Sequence, residues 1–248
     1  MDIMSYYYEV FESLPRCGPG ENESTRRAFN MMSDLPAEPK VLDIGCGPGV
    51  QTLELARCVG GHIIALDNHQ PFLNKLVQTA LDEGLEGHIT TQNQSMLEMD
   101  FDDESFDVIW SEGALYFMGF ENGLKRCRGL LKPRGWMAVT EVVYLKPGLP
   151  AELQAFWNRE YPDIRDVPGK IRQIGEAGFD LIWHFTLPKS AWLDHYYQPM
   201  QKVLTQFGDK YHDQSEVIEV LNEFQLEIDL YKRYSDYYGY EFFIMRKV

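Results

Sequence analysis

The sequence predicts an α/β protein: one mostly parallel, seven-stranded sheet flanked by helices, formed as a single domain over residues 1–248. Three observations carry this. Apolar runs that end in an acid recur at Val41–Asp43 and at His62–Asp67. Each is followed by a segment whose apolar residues repeat with helical period. The chain of 248 residues is 44% hydrophobic and 25% charged, which suits one large domain with a substantial core.

The first elements are helical. Residues 3–14 are rich in aromatics, with Tyr6, Tyr7, Tyr8 and Phe11, and the run from Pro15 to Gly20 breaks them. A second helix begins near Asn22 or Ser24 and runs to Met32. The aromatics either pack this N-terminal cap, residues 1–36, onto the core or close over a ligand. Next comes the stretch that organises the chain, Val41-Leu42-Asp43-Ile44-Gly45-Cys46-Gly47-Pro48-Gly49-Val50. It reads as strand, tight glycine turn and helix, the opening of a βαβ nucleotide site. A dinucleotide fingerprint would place its third glycine at Val50, and here it falls one position early at Gly49. That spacing disfavours a nicotinamide oxidoreductase. No Gly-Lys-Ser/Thr follows, so a P-loop is excluded. The segment resembles motif I of the class I S-adenosylmethionine (SAM) methyltransferases, an apolar strand followed by D-x-G-C-G-x-G, with Asp43, Gly45, Cys46, Gly47 and Gly49 in the matching places.

The second strand ends at Asp67, 18 residues beyond Gly49. An acid near that spacing takes ribose hydroxyls in βαβ nucleotide sites, because a carboxylate accepts two hydrogen bonds from a vicinal diol. Asn68, placed with the cofactor beside Asp67, and His69 follow, then a helix through Phe72, Leu73, Leu76, Val77 and Ala80 that Gly84 ends. Residues 88–92 form a weak third strand. The passage from Ser95 to Trp110 resembles the region after motif I in the same family, which implies that Ser95 and Met96 lie near the adenine. The family commonly has Asp where Ser95 stands. The acids between Glu98 and Asp107 lack the order of a calcium loop, and no metal site is expected. Strand four ends at Ser111-Glu112-Gly113-Ala114-Leu115-Tyr116. Ligands lie outside the carboxyl ends of parallel strands, so Ser111 is placed with the cofactor and Glu112 and Tyr116 at the reacting end. A helix over 122–131, stopped by Lys132-Pro133-Arg134-Gly135, leads to strand five over 136–142.

Beyond residue 144 the resemblance loosens. Helices are predicted over 153–161 and 171–177, a strand over 181–187, helices over 191–207 and 215–234 with Gly208-Asp209-Lys210 between them, and a last strand over 240–245. His184, on an apolar strand, reads as a satisfied core histidine. Residues 144–248 therefore hold the remaining strands and a helical lid, and residues 38–143 the SAM-binding core.

The formal charge of −15, from 23 basic and 38 acidic residues, disfavours nucleic acid and anionic membrane as partners. Cys17, Cys46, Cys58 and Cys127 form no C-x-x-C pair, which fits reduced thiols and a cytoplasmic location. No leader or membrane-spanning run is read. Within the family the chain resembles the type 11 methyltransferase domains, akin to ubiquinone/menaquinone C-methyltransferases. The resemblance implies a Rossmann-like sheet of order 3-2-1-4-5-7-6 with strand seven antiparallel. It implies methyl transfer from SAM to a small-molecule acceptor, by a monomer or homodimer. A catalytically silent SAM-binding module satisfies the same motifs. His69, Glu112 and Tyr116 are the candidates for a general base, should the acceptor need one.

Overall fold

The computed structural model describes residues 3–248; Met1 and Asp2, the start of the expected cap, lie outside the described residues. The strands are β1 (Lys40–Ile44), β2 (His62–Asp67), β3 (Ile89–Asn93), β4 (Phe106–Glu112), β5 (Leu131–Tyr144), β6 (Arg165–Asp166), β7 (Phe179–Thr186) and β8 (Tyr238–Lys247). They form one sheet of order β3-β2-β1-β4-β5-β8-β7, with β6 paired to β5 off this path. β8 runs antiparallel to both of its neighbours, and all other pairs are parallel. This is the expected order with one short strand added. Two residues are too few to leave a periodic signal, which is why β6 was not foreseen.

The helices are α1 (Ile3–Glu12), α2 (Asn22–Asn30), α3 (Val50–Cys58), α4 (Gln70–Asp82), α5 (Phe120–Leu130), α6 (Ala151–Glu160), α7 (Val167–Glu176), α8 (Lys189–Trp192), α9 (Gln198–Lys210) and α10 (Ser215–Tyr234). Alternate strand residues feed two cores. Val41, Ile63, Val108, Trp110 and Phe242 pack with residues of α1, α6 and α8–α10. Leu42, Ile109, Met137 and Phe243 pack with residues of α5 and α7. With helices on both faces, the strands read as continuous apolar runs rather than alternating ones. The parallel register brings the carboxyl ends of β1, β2 and β4 to one edge, and that edge carries the site.

Four expectations need correction. The passage Lys132–Gly135 does not separate helix from strand. β5 begins at Leu131, and those residues bulge out between the pairs Phe106↔Leu131 and Val108↔Trp136, with Arg134 in the left-handed region at φ 62° and Lys132 held by Asp107 at 2.9 Å. Gly208 does not break the lid: α9 continues through it to Lys210, since one glycine costs a helix only about 1 kcal/mol. The break falls at residues 211–214, where the Tyr211 hydroxyl reaches back to Glu9 of α1 at 2.8 Å. Upstream, the single helix expected over 191–207 is α8, a π-helical turn at Leu193–Tyr197, and α9 with Pro199 in its first turn. His184 is not in the core. It sits on β7, an edge strand, with its ring 42% exposed and Nδ1 at 2.5 Å from the buried Glu241 carboxylate.

Among the described residues no helix is long and apolar enough to cross a membrane, and no His/Cys/Asp/Glu group could hold a metal ion.

Candidate active site

The turn between β1 and α3 is built on backbone that only glycine adopts freely. Gly45, Gly47 and Gly49 have φ of 70°, 54° and 86°. Gly45 and Cys46 donate their N–H groups to the Leu66 carbonyl at 2.8 and 3.0 Å, which ties the turn to the end of β2. A Cβ on Gly45 would stand 2.4 Å from the Ala114 Cβ, so β1 and the segment after β4 close tightly only around a glycine. A Cβ on Gly49 would stand 2.3 Å from Leu76 Cδ1, so that glycine seats α4 rather than a ligand.

Asp67 ends β2 beside this turn. Its Oδ2 accepts the Gly47 N–H and its Oδ1 accepts the His69 N–H, both at 2.9 Å. Two backbone donors fix the carboxylate and leave lone pairs for a further partner. Around it lies a cavity of about 490 Å³, walled by α1, residues 16–19, the glycine turn, Asp67–Asn68, residues 94–97 and residues 112–117. Gly45, Cys46, Gly47, Asp67, Asn68, Ser95, Met96, Glu112 and Tyr116 all line it, so the structure gathers nine separately read residues on one wall. Ser95 also caps a 3₁₀ turn, accepting the Leu97 N–H at 3.2 Å.

Four expected residues stand elsewhere. Asp43 is fully buried beneath the turn, where Thr52 of α3 donates to its Oδ2 at 2.6 Å; it fastens strand to helix and does not line the cavity. Burial, with the Glu112 charge adding to it, pushes the Asp43 carboxyl up to about 7 against the Thr52 hydrogen bond. A carboxyl raised on folding stabilises below its ordinary range and loses that contribution as pH climbs toward 7. Asp43→Asn is therefore expected to gain stability relative to wild type between pH 4 and pH 8, read as the difference in thermal midpoints. Ser111 is buried too, donating its hydroxyl to the Ile44 carbonyl at 3.0 Å, and Gly49 faces α4. His69 lies outside the cavity lining, its ring stacked on Tyr8 at 4.1 Å with Nε2 at 2.7 Å from Glu12. It latches α1 over the site.

Glu112 lines the cavity but is already engaged. Its side chain is 4% exposed and accepts from Arg16 Nη2 at 2.9 Å, Thr25 Oγ1 at 2.7 Å and Trp110 Nε1 at 2.9 Å. Arg16 was not foreseen as a site residue. Arg16 lines the cavity, and its Nη1 is buried without a hydrogen-bond partner among the described residues. The signal available was one arginine inside a glycine- and proline-rich break, Pro15 to Gly20, the kind of loop that carries function. Burial, then Glu227 and Glu141, raise the Tyr116 hydroxyl well above its ordinary value, so it is a neutral donor near pH 7. Cys17, also in the wall, is pushed up to about 12 chiefly by burial, which keeps it a thiol.

Known proteins are similar to this chain in part of its sequence and in its fold. Residues 41–135 match the family model described as "Methyltransferase domain". A sterol 24-C-methyltransferase of Neurospora crassa is 31% identical over 146 residues, 56% of this chain and 38% of that protein. A glycine/sarcosine/dimethylglycine N-methyltransferase of Actinopolyspora halophila is 27% identical over 56% of this chain and 25% of its own length. The matched segment thus spans less than half of either relative. A SAM-dependent methyltransferase of Geobacter sulfurreducens, solved with S-adenosyl-L-homocysteine, superposes with a TM-score of 0.84 over 98% of both chains at 20% identity, which shows a common fold.

Proposed function

We propose that the chain, whose residues 41–135 match the family model described as "Methyltransferase domain", is a class I SAM-dependent methyltransferase that binds SAM at the glycine turn and methylates a small-molecule acceptor. The observation that carries this reading is Asp67, a carboxylate fixed by two backbone donors at the tip of β2 and open to the cavity. The residues present fit the group. Arg16 Nη1, buried and without a partner among the described residues, is a donor suited to an anion such as the methionyl carboxylate. Asp67 suits the ribose diol, and Ser95 and Met96 the base. When bound, SAM supplies a sulfonium-activated methyl whose bond electrons return to sulfur as the acceptor's electron pair takes the carbon.

The protein's own contribution is position and exclusion of water. α1 covers the cavity with Tyr7, Tyr8 and Phe11 and is held there by His69, by Tyr211 and by Tyr6 on Gln214 at 2.9 Å. Glu112 positions Arg16, and Tyr116 offers a hydrogen-bond donor at the reacting end. Of the three candidates for a base, one is saturated by donors, one is outside the cavity and one is protonated.

Incubation with SAM and a panel of acceptors, following S-adenosylhomocysteine, tests the reading. Turnover supports it; tight SAM binding with no turnover on any acceptor favours a silent binding module. Arg16→Gln is expected to weaken SAM binding about ten- to a hundred-fold in a calorimetric titration, the loss of a charge-assisted hydrogen bond. At a formal charge of −15, retention of duplex DNA or RNA in a shift assay at moderate salt is not expected.

A further inference from the structure

We propose that the acceptor is an uncharged molecule with a hydrocarbon body, whose reacting atom enters the cavity while the body lies across an apolar rim at its mouth. The proposal rests on the SAM reading and names the substrate class for that site. The rim comes from three separate elements. Met4 of α1 is 51% exposed, Leu97 of the turn after β3 is 68% exposed, and Phe117 of the turn after β4 is 65% exposed; all three line the cavity. The Tyr116 ring lies beside that of Phe117, tilted by 31° with ring centroids 4.2 Å apart. Other exposed large apolar side chains, such as Leu81, Trp183 and Val248, do not line it. Single exposed apolar residues are ordinary, whereas several meeting at one opening mark a surface that something apolar covers.

Volume and charge choose the occupant. A cavity of about 490 Å³ is within the range of about 300–1,000 Å³ that holds one drug-sized ligand. SAM takes part of that space, which leaves the remainder to the acceptor's reacting group. Arg16, Asp67 and Glu112 are the charged side chains among the described residues of the wall. Arg16 is paired with Glu112 at 2.9 Å and its remaining donor, Nη1, is the one assigned to the SAM carboxylate, and Asp67 holds two backbone donors. No uncommitted cation is left to neutralise an anionic acceptor, and the SAM sulfonium repels a cationic one. The rim lies next to the reacting end, since Tyr116 and Phe117 follow directly from β4.

Displacement of Nile red by hexanol, octanol and decanol, with S-adenosylhomocysteine present, tests this. Alkanol affinity should rise about fourfold per added methylene, while octyl phosphate and octyltrimethylammonium bind at least tenfold more weakly than octanol. Leu97→Asp with Phe117→Asp, both at exposed positions that leave the core intact, should weaken decanol at least tenfold and S-adenosylhomocysteine no more than twofold. Equal or tighter binding of octyl phosphate, or unchanged decanol affinity in the double variant, overturns the proposal. So does binding to phosphatidylcholine vesicles, or a concentration-dependent dimer, that the double variant abolishes; the rim would then belong to a bilayer or to a second copy. Decanol binding retained by a protein that does not bind S-adenosylhomocysteine supports the rim and refutes the cofactor reading alone.

Discussion

Lys170→Ala is expected to destabilise the protein by about 3–5 kcal/mol, the usual result of breaking a buried ion pair from one side. Lys170 is fully buried on α7, and its Nζ lies 2.9 Å from Glu141 Oε1 on β5, itself 1% exposed. The Tyr161 hydroxyl donates to the same oxygen at 2.6 Å, and Lys170 also reaches Tyr161 at 3.2 Å and the Asp163 carbonyl at 3.4 Å. The ammonium sits 4.4 Å from the Phe120 ring centroid. Burial raises the Glu141 carboxyl and lowers the Lys170 ammonium, and each charge opposes the shift of the other. Removing Lys170 leaves the carboxylate desolvated with one donor. Urea unfolding measures the loss. The paired change Lys170→Met with Glu141→Leu should recover most of it, because apolar residues of similar volume avoid the desolvation cost altogether.

Gly45→Val should leave no measurable SAM binding. The residue has φ 70°, where a β-branched side chain is strained, and its new Cβ would meet the Ala114 Cβ at 2.4 Å. Relief requires β1 to part from the segment 112–117, which moves both the glycine turn and Tyr116. Gly84→Ala provides the comparison, since Gly84 has φ 69° with open space where a Cβ would go. That variant should lose about 1 kcal/mol of stability and bind SAM normally. Calorimetry on the two proteins separates backbone strain from damage to the site.

The core was legible because it is dense in local rules. Three glycines behind an apolar strand, an acid at the end of the next strand and the helical periods between them single out Gly45, Gly47 and Asp67, which all line the one cavity. Contact with the cavity was harder to read than membership of the motif. Asp43, Gly49 and Ser111 belong to the same segments, yet they face inward, and the direction of a side chain at a strand end depends on what packs behind it. Arg16 was missed because it joins the site through Glu112, a partner 96 positions away in the chain, and no local period records such a contact. The bulge at 132–135 and the continuous α9 show tertiary packing overriding turn chemistry and a helix-breaking glycine. The implied sheet order already put the strand of His184 at the edge; the apolar run misled there because its neighbours Ile182 and Trp183 are themselves exposed, so apolar sequence did not mean burial.

The measurement closest to the central claim is a calorimetric titration of wild type and Asp67→Ala with SAM. Asp67 is held by two backbone N–H groups at the end of β2, and its removal deletes charge-assisted hydrogen bonds worth about 1.5–3 kcal/mol. The account predicts a roughly ten- to hundred-fold loss of affinity, with circular dichroism and cooperative unfolding showing a native fold. A folded Asp67→Ala protein that binds SAM as tightly as wild type would contradict it.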